Sequence, residues 1–166
     1  MNETTQPTTH VGLIRRLMTI VYDSFLVFAC CLLTGGIVVA IKIAMTDSAE
    51  VQAIRDSGQR AISAPLESGV LFTVGLLTVF FFYAYFWRKT GQTLAMQAWR
   101  SKIVSSADGR TPSWAQCTIR FIVAFFSLAL GGMGFLWMLV DRDKKTWHDR
   151  ASGTELQLLP KPAKKK

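Results

Sequence analysis

Three stretches of the chain carry no charge at all: Ser24 to Ile41, Ser68 to Trp87 and Phe121 to Val140, of 18, 20 and 20 residues. A bilayer core of roughly 30 Å needs about 20 apolar residues in a helix, so each run predicts a membrane-embedded segment. With their flanks, the segments are expected at about 17–43, 68–87 and 118–140. The third contains Gly131-Gly132-Met133-Gly134, a poor stretch for a continuous helix. It either crosses the membrane or turns back at the glycines as a re-entrant hairpin with a first leg, Phe121 to Leu130, of about 15 Å. Shorter patterns lie between and after the segments. Leu94, Ala98 and Trp99 predict a short interfacial helix after Gly91. Lys102 to Ser105 and Thr154 to Leu159 read as strands that can pair, with a turn at Ala107-Asp108-Gly109-Arg110. The expected fold class is an all-α membrane protein with three embedded segments, the third crossing or re-entrant, a short cytoplasmic interfacial helix and a small β-pairing. Residues 1–12, polar and rich in Thr, are expected to be disordered; 13–159 form the membrane domain and 160–166 a basic tail.

Composition strengthens this picture. Half of the 166 residues are hydrophobic and eleven are Phe, more apolar surface than so small a chain can hide in an interior of its own. The net charge of +8 invites a nucleic-acid reading, but the Lys and Arg sit in connections beside the apolar runs, so a nucleic-acid partner is not expected. Those charges set an orientation instead. The 43–67 connection carries a net charge of −2 and the 88–120 connection +5, which places the N-terminus and 88–120 in the cytoplasm and 43–67 outside. The tail from Asp141 holds eight Lys and Arg against four acids, which favours a third segment that returns to the cytoplasmic side. Cys30, Cys31 and Cys117 lack metal-ligand spacing and read as inert buried thiols. The first segment, about 17–43, is long, with sixteen residues before it, and is expected to stay as a signal-anchor.

Two acids carry the candidate chemistry. Asp23 lies seven residues after Arg16, about 20° short of two helical turns, so the two share a face. If the membrane begins at Arg16, Asp23 is about 10 Å deep, where a lone carboxylate costs roughly 2.5 to 3.5 kcal/mol. It would then face protein, pair with Arg16 or Arg120, and bind a cation or relay a proton. If the membrane begins at Ser24, Asp23 stays at the interface beside Tyr22. Asp149 stands in Trp147-His148-Asp149-Arg150, but neighbouring residues seldom face each other and no nucleophile elbow accompanies them. Asp149 is expected to cap a turn or to anchor Arg residues of the 88–120 connection. Gly91-Gln92-Thr93 permits a sharp exit from the membrane, with Thr93 capping the next helix. No catalytic, cofactor or metal site is expected, and no enzyme.

These features together resemble the RDD family of bacterial membrane proteins, named for one arginine and two aspartates. Arg16-Leu17-Met18-Thr19-Ile20-Val21-Tyr22-Asp23 looks like the family's opening, with Arg16 as the arginine and Asp23 as the first aspartate. Gly91-Gln92-Thr93-Leu94 resembles its Gly-x-Thr element. Lys145 to Thr154, including Gly153, resembles the closing element, with Asp149 as the second aspartate. Leu94-Ala95-Met96-Gln97 departs from the pattern by lacking a glycine and a basic residue, and Ser152 replaces a small apolar one. The resemblance implies a bacterial inner membrane and a role for Arg16, Asp23 and Asp149, with Gly91, Thr93, Gly153 and Thr154 in support; Arg120, at the mouth of the third segment, joins the supporting residues as a candidate partner of Asp23. It names no reaction, although transport has been suggested for some members. Two functions are carried forward: assistance to monovalent cation or proton movement by a homo-oligomer, or service as a scaffold or accessory subunit to another membrane partner.

Overall fold

The computed structural model describes residues 11–45, 52 and 65–160. The sequence expectations for residues 1–10, for most of the 43–67 connection and for the tail beyond Pro160 lie outside the described residues. Three elements carry most of the apolar sequence: α1 (Leu13–Met45), α2 (Pro65–Lys89) and α4 (Trp114–Ala129). Helix α1 and the 69–89 portion of α2 are each long and apolar enough to cross a membrane. At 33 residues, α1 is about 50 Å long, more than a hydrocarbon core requires. Helix α4 and the short helices after it, α5 (Met133–Leu136) and a 3₁₀ turn (Trp137–Leu139), are bent by 107°.

That bend has a local cause. Helix α4 starts at a capping box, in which Gln116 N donates to Ser113 Oγ and Ser113 N donates to Gln116 Oε1. It ends in a Schellman motif: Gly131 N donates to the Leu128 carbonyl and Gly132 N to that of Ser127. Both glycines have φ near +70 to +80°, which two consecutive side chains would rarely tolerate, so the glycine pair stops the helix and redirects the chain. Gly134 then packs so closely on Ser127 and Trp147 that a Cβ there would come 2.9 Å from Ser127 Cβ. The break thus falls at the glycines of the sequence motif, although α4 runs further upstream, to Trp114.

The chain divides into two compact units. Unit two, residues 25–81, contains the later part of α1 and the earlier part of α2. Thr78 Oγ1 donates to Thr34 Oγ1 (3.1 Å), and Cys31 Sγ lies 4.0 Å from the Gly75 carbonyl. Each interhelical hydrogen bond of this kind contributes about 0.6 kcal/mol in a membrane protein.

Unit one holds the start of α1, the end of α2 and everything after it, including α3 (Leu94–Ala98), α6 (Trp147–Ser152) and a two-stranded sheet. Strands β1 (Ser101–Ser105) and β2 (Thr154–Leu158) pair antiparallel, from Ser101 opposite Leu158 to Ser105 opposite Thr154. The expected pairing is therefore present, with β1 starting one residue earlier and β2 ending one earlier. The other edge of β1 is also used, since Ile103 N donates to the Gly91 carbonyl (2.8 Å). A Cβ at Gly91 would meet the Ile103 carbonyl at 2.6 Å, and Gly91 sits at φ 74°; the sharp exit from α2 therefore demands glycine on both counts.

Burial runs opposite to that of a water-soluble domain. The buried set of unit one is rich in polar and charged groups, among them Arg16, Asp23, Thr93, Arg120, Thr146, His148, Asp149 and Thr154. Phe126, Leu128, Leu130, Met133 and Val140 are exposed. Apolar outside and polar inside is the arrangement a lipid solvent selects.

Candidate functional site

Asp149 stands at the third position of α6, where a capping box fixes it. Thr146 N donates to Asp149 Oδ2 (3.1 Å) and Asp149 N donates to Thr146 Oγ1 (3.3 Å). Held there, the carboxylate receives one guanidinium on each oxygen. Arg16 Nη1, from α1, lies 2.6 Å from Oδ2, and Arg120 Nη1, from α4, lies 2.6 Å from Oδ1. Arg16 Nε reaches the Val11 carbonyl at 3.3 Å. One carboxylate, 1 % exposed, thus ties together segments 133 and 29 residues away.

A directed hydroxyl chain continues from Arg120. Its Nη1 donates to Thr154 Oγ1 (2.6 Å), and Ser152 Oγ donates to the His148 carbonyl (2.6 Å). With Ser152's proton so engaged, Thr154 is the donor in the 2.7 Å contact between the two hydroxyls. The Trp87 ring faces the Arg120 guanidinium, 5.5 Å from ring centre to Cζ, in cation–π geometry. Gly153 closes α6 as its C-cap, and its carbonyl accepts from Ser106 N.

The electrostatics follow from this packing. Burial alone would push the Asp149 carboxyl upward, but the Arg120 and Arg16 guanidiniums outweigh it and hold the group well below the usual carboxylate range. His148, its ring centre 4.7 Å from that of Phe135 and tilted 58° to it, is pushed down to about 3, first by burial and then by Arg120, so it is neutral at ordinary pH.

Asp23 is built differently. It is 2 % exposed and receives Thr93 Oγ1 on Oδ2 (2.5 Å) and Ala95 N on Oδ1 (3.3 Å). Thr93 is also the N-cap of α3, accepting from Met96 N at 3.2 Å. Among the described residues no ion pair reaches Asp23. The expectation that Arg16 or Arg120 would pair with it is corrected here, because both go to Asp149. Side chains on a helix lean toward its N-terminus, so Arg16 reaches back to Val11 and Asp149, away from Asp23 two turns ahead.

Comparison with known proteins bears on which of these groups matter. A model of the RDD family matches residues 10–153. The chain belongs to the RDD family. No curated protein and no solved structure matches it. The three residues assigned to the RDD signature fall into two places: Arg16 and Asp149 meet directly, while Asp23 stands apart on Thr93. The RDD chain's Arg120 and Thr154 join the first place, and Gly91 shapes the turn that leads to the second. Sequence reasoning missed Thr146, Ser152 and Trp87. A signal existed for Thr146, because Thr-x-x-Asp at 146–149 is a capping-box pattern. Nothing in the linear order of residues marks Trp87 as a partner of Arg120.

Proposed function

We propose that this RDD protein is a multi-pass protein of the bacterial inner membrane, not an enzyme, which assists movement of protons or a monovalent cation as a homo-oligomer. The carrying observation is the contrast between its two buried signature carboxylates. Asp149 has its charge neutralised by two guanidiniums and serves as a fixed clamp. Among the described residues Asp23 is held only by a hydroxyl and a backbone amide, which leaves its charge to be met by a proton or a cation. Three segments enclose little volume, so a pathway requires further copies.

The orientation has the N-terminus and the 88–120 connection in the cytoplasm, following their basic charge, with α3 lying along the cytoplasmic interface. Pairing of β1 with β2 supports a re-entrant third segment. It brings Ser105 and Thr154 opposite each other, so the chain that departs through α4 returns to the strand it left. The tail is then cytoplasmic.

A second reading, a scaffold or accessory subunit, is favoured by one fact: both oxygens of Asp23 already have donors from the chain itself. Ion flux into proteoliposomes separates the two. Flux in the parent protein that Asp23→Asn abolishes without unfolding supports the first reading; no flux under any gradient leaves the scaffold.

A further inference from the structure

Most charges in the stretch leaving the bent third segment have partners. Arg150 takes both Asp141 (2.5 Å) and Asp143 (3.2 Å), Lys145 pairs with Glu155 (3.3 Å), and Asp149 is held by Arg16 and Arg120. Arg142 and Lys144 are different. Both are exposed, and among the described residues no ion pair reaches either. Just before them stand Leu139 and Val140, the latter 81 % exposed, and Trp137, whose ring lies 6.0 Å from that of Trp147. Lys144 sits at φ 52°, a region that side chains other than Gly seldom adopt. That turn carries its ammonium back to 3.4 Å from the Leu139 carbonyl, over the apolar residues.

Two cations without an ion pair among the described residues thus follow directly in the chain on exposed apolar residues and on Trp137, which pairs with Trp147. A free anion would need only the cations; a surface that adds apolar area and tryptophans matches a phosphodiester with acyl chains below it. We propose that the 137–144 turn is a binding site for an anionic phospholipid. Arg142 and Lys144 meet the headgroup phosphate, Leu139 and Val140 lie along the first acyl carbons, and Trp137 and Trp147 sit at headgroup level. The site requires only that the third segment lies in the membrane, and is independent of any ion movement at Asp23.

Native mass spectrometry of the purified full chain in detergent tests this, with short-chain phosphatidylglycerol, phosphatidylcholine of the same chains, and inorganic phosphate as probes. Phosphatidylglycerol is expected to bind most tightly. Arg142→Gln with Lys144→Gln should weaken it roughly fivefold per charge removed, while the charge-keeping swap Arg142→Lys with Lys144→Arg retains the preference. Arg110→Gln, elsewhere on the surface, should have little effect. Equal binding of the two lipids, a double Gln variant that binds like the parent, an equal loss on Arg110→Gln, or competition by phosphate at lipid-like concentration would each overturn the proposal.

Discussion

Replacing Asp149 with Asn keeps the side chain's size and removes the one negative charge between two buried guanidiniums. Breaking a buried pair by removing one partner typically costs 3 to 5 kcal/mol, because the remaining charge is left uncompensated. Here one carboxylate serves two contacts of 2.6 Å, and it also accepts the Thr146 amide of the capping box. An Asn oxygen in the place of Oδ2 can still accept from Arg16 and the Thr146 amide, but its NH2 then faces the Arg120 guanidinium donor to donor and neither guanidinium has a counter-charge, so the expected loss lies at the upper end, about 5 kcal/mol. For a chain of this size that corresponds to a fall in melting temperature of about 10 to 20 °C. Thermal unfolding in detergent provides the assay, with Arg16→Gln and the Arg16→Gln/Asp149→Asn pair completing a double-mutant cycle. Replacing Arg16, Arg120 and Asp149 together by Met, Met and Leu should recover much of the loss, since apolar groups of similar volume leave no charge unpaired. An Asp149→Asn protein melting within a degree or two of the parent, or a cycle with no coupling, would show that the clamp is not formed. The pH dependence follows from the depressed carboxyl. Its contribution is present above the unfolded value near 4 and is lost only as pH falls toward the lower folded value, so none of it disappears between pH 8 and 5.

His148 contributes the opposite sensitivity. Its folded value of about 3 lies below the unfolded 6.5, so only the unfolded chain takes up a proton between them, and stability declines on acidification below 6.5 by up to about 1.4 kcal/mol per pH unit. Denaturation from pH 7 to 4.5 should show this slope in the parent and lose it in His148→Phe; identical slopes would refute it. Reporter fusions should report a cytoplasmic C-terminus after Lys166 and a periplasmic 43–67 connection, whereas a periplasmic signal after Lys166 would leave a plain crossing in place of the re-entrant segment.

The apolar runs and the glycine cluster could be read directly because lipid imposes its requirement on every residue of a span, and a helix end depends on its own few residues. The strand pairing was legible for a related reason, since both runs flank the same excursion of chain. Partner choice was legible only for Asp149, which caps a turn and anchors Arg120 of the 88–120 connection as expected. Helical periodicity puts Arg16 and Asp23 on one face, but it does not say which way a long side chain leans, and it was the lean that sent Arg16 to Asp149. For Arg120 two acids were in view: Asp149, expected to anchor Arg residues of the 88–120 connection, is the one it meets, and Asp23 is not, a choice set by where α6 packs against α4. Thr93 was legible as a helix cap, but its second bond, to a carboxylate 70 residues away, is a product of tertiary packing alone.

Under the proposed function the two buried carboxylates do different work, Asp149 fixed and Asp23 responsive. Infrared difference spectroscopy of the protein in lipid, recorded on lowering the pH and separately on adding sodium, observes carboxyl groups directly. A change in a buried carboxyl or carboxylate band is expected in at least one of these two experiments. That change should be absent from Asp23→Asn, with no component assignable to Asp149. A spectrum with no buried-carboxyl change under either condition, or one that survives Asp23→Asn, would contradict that division of work.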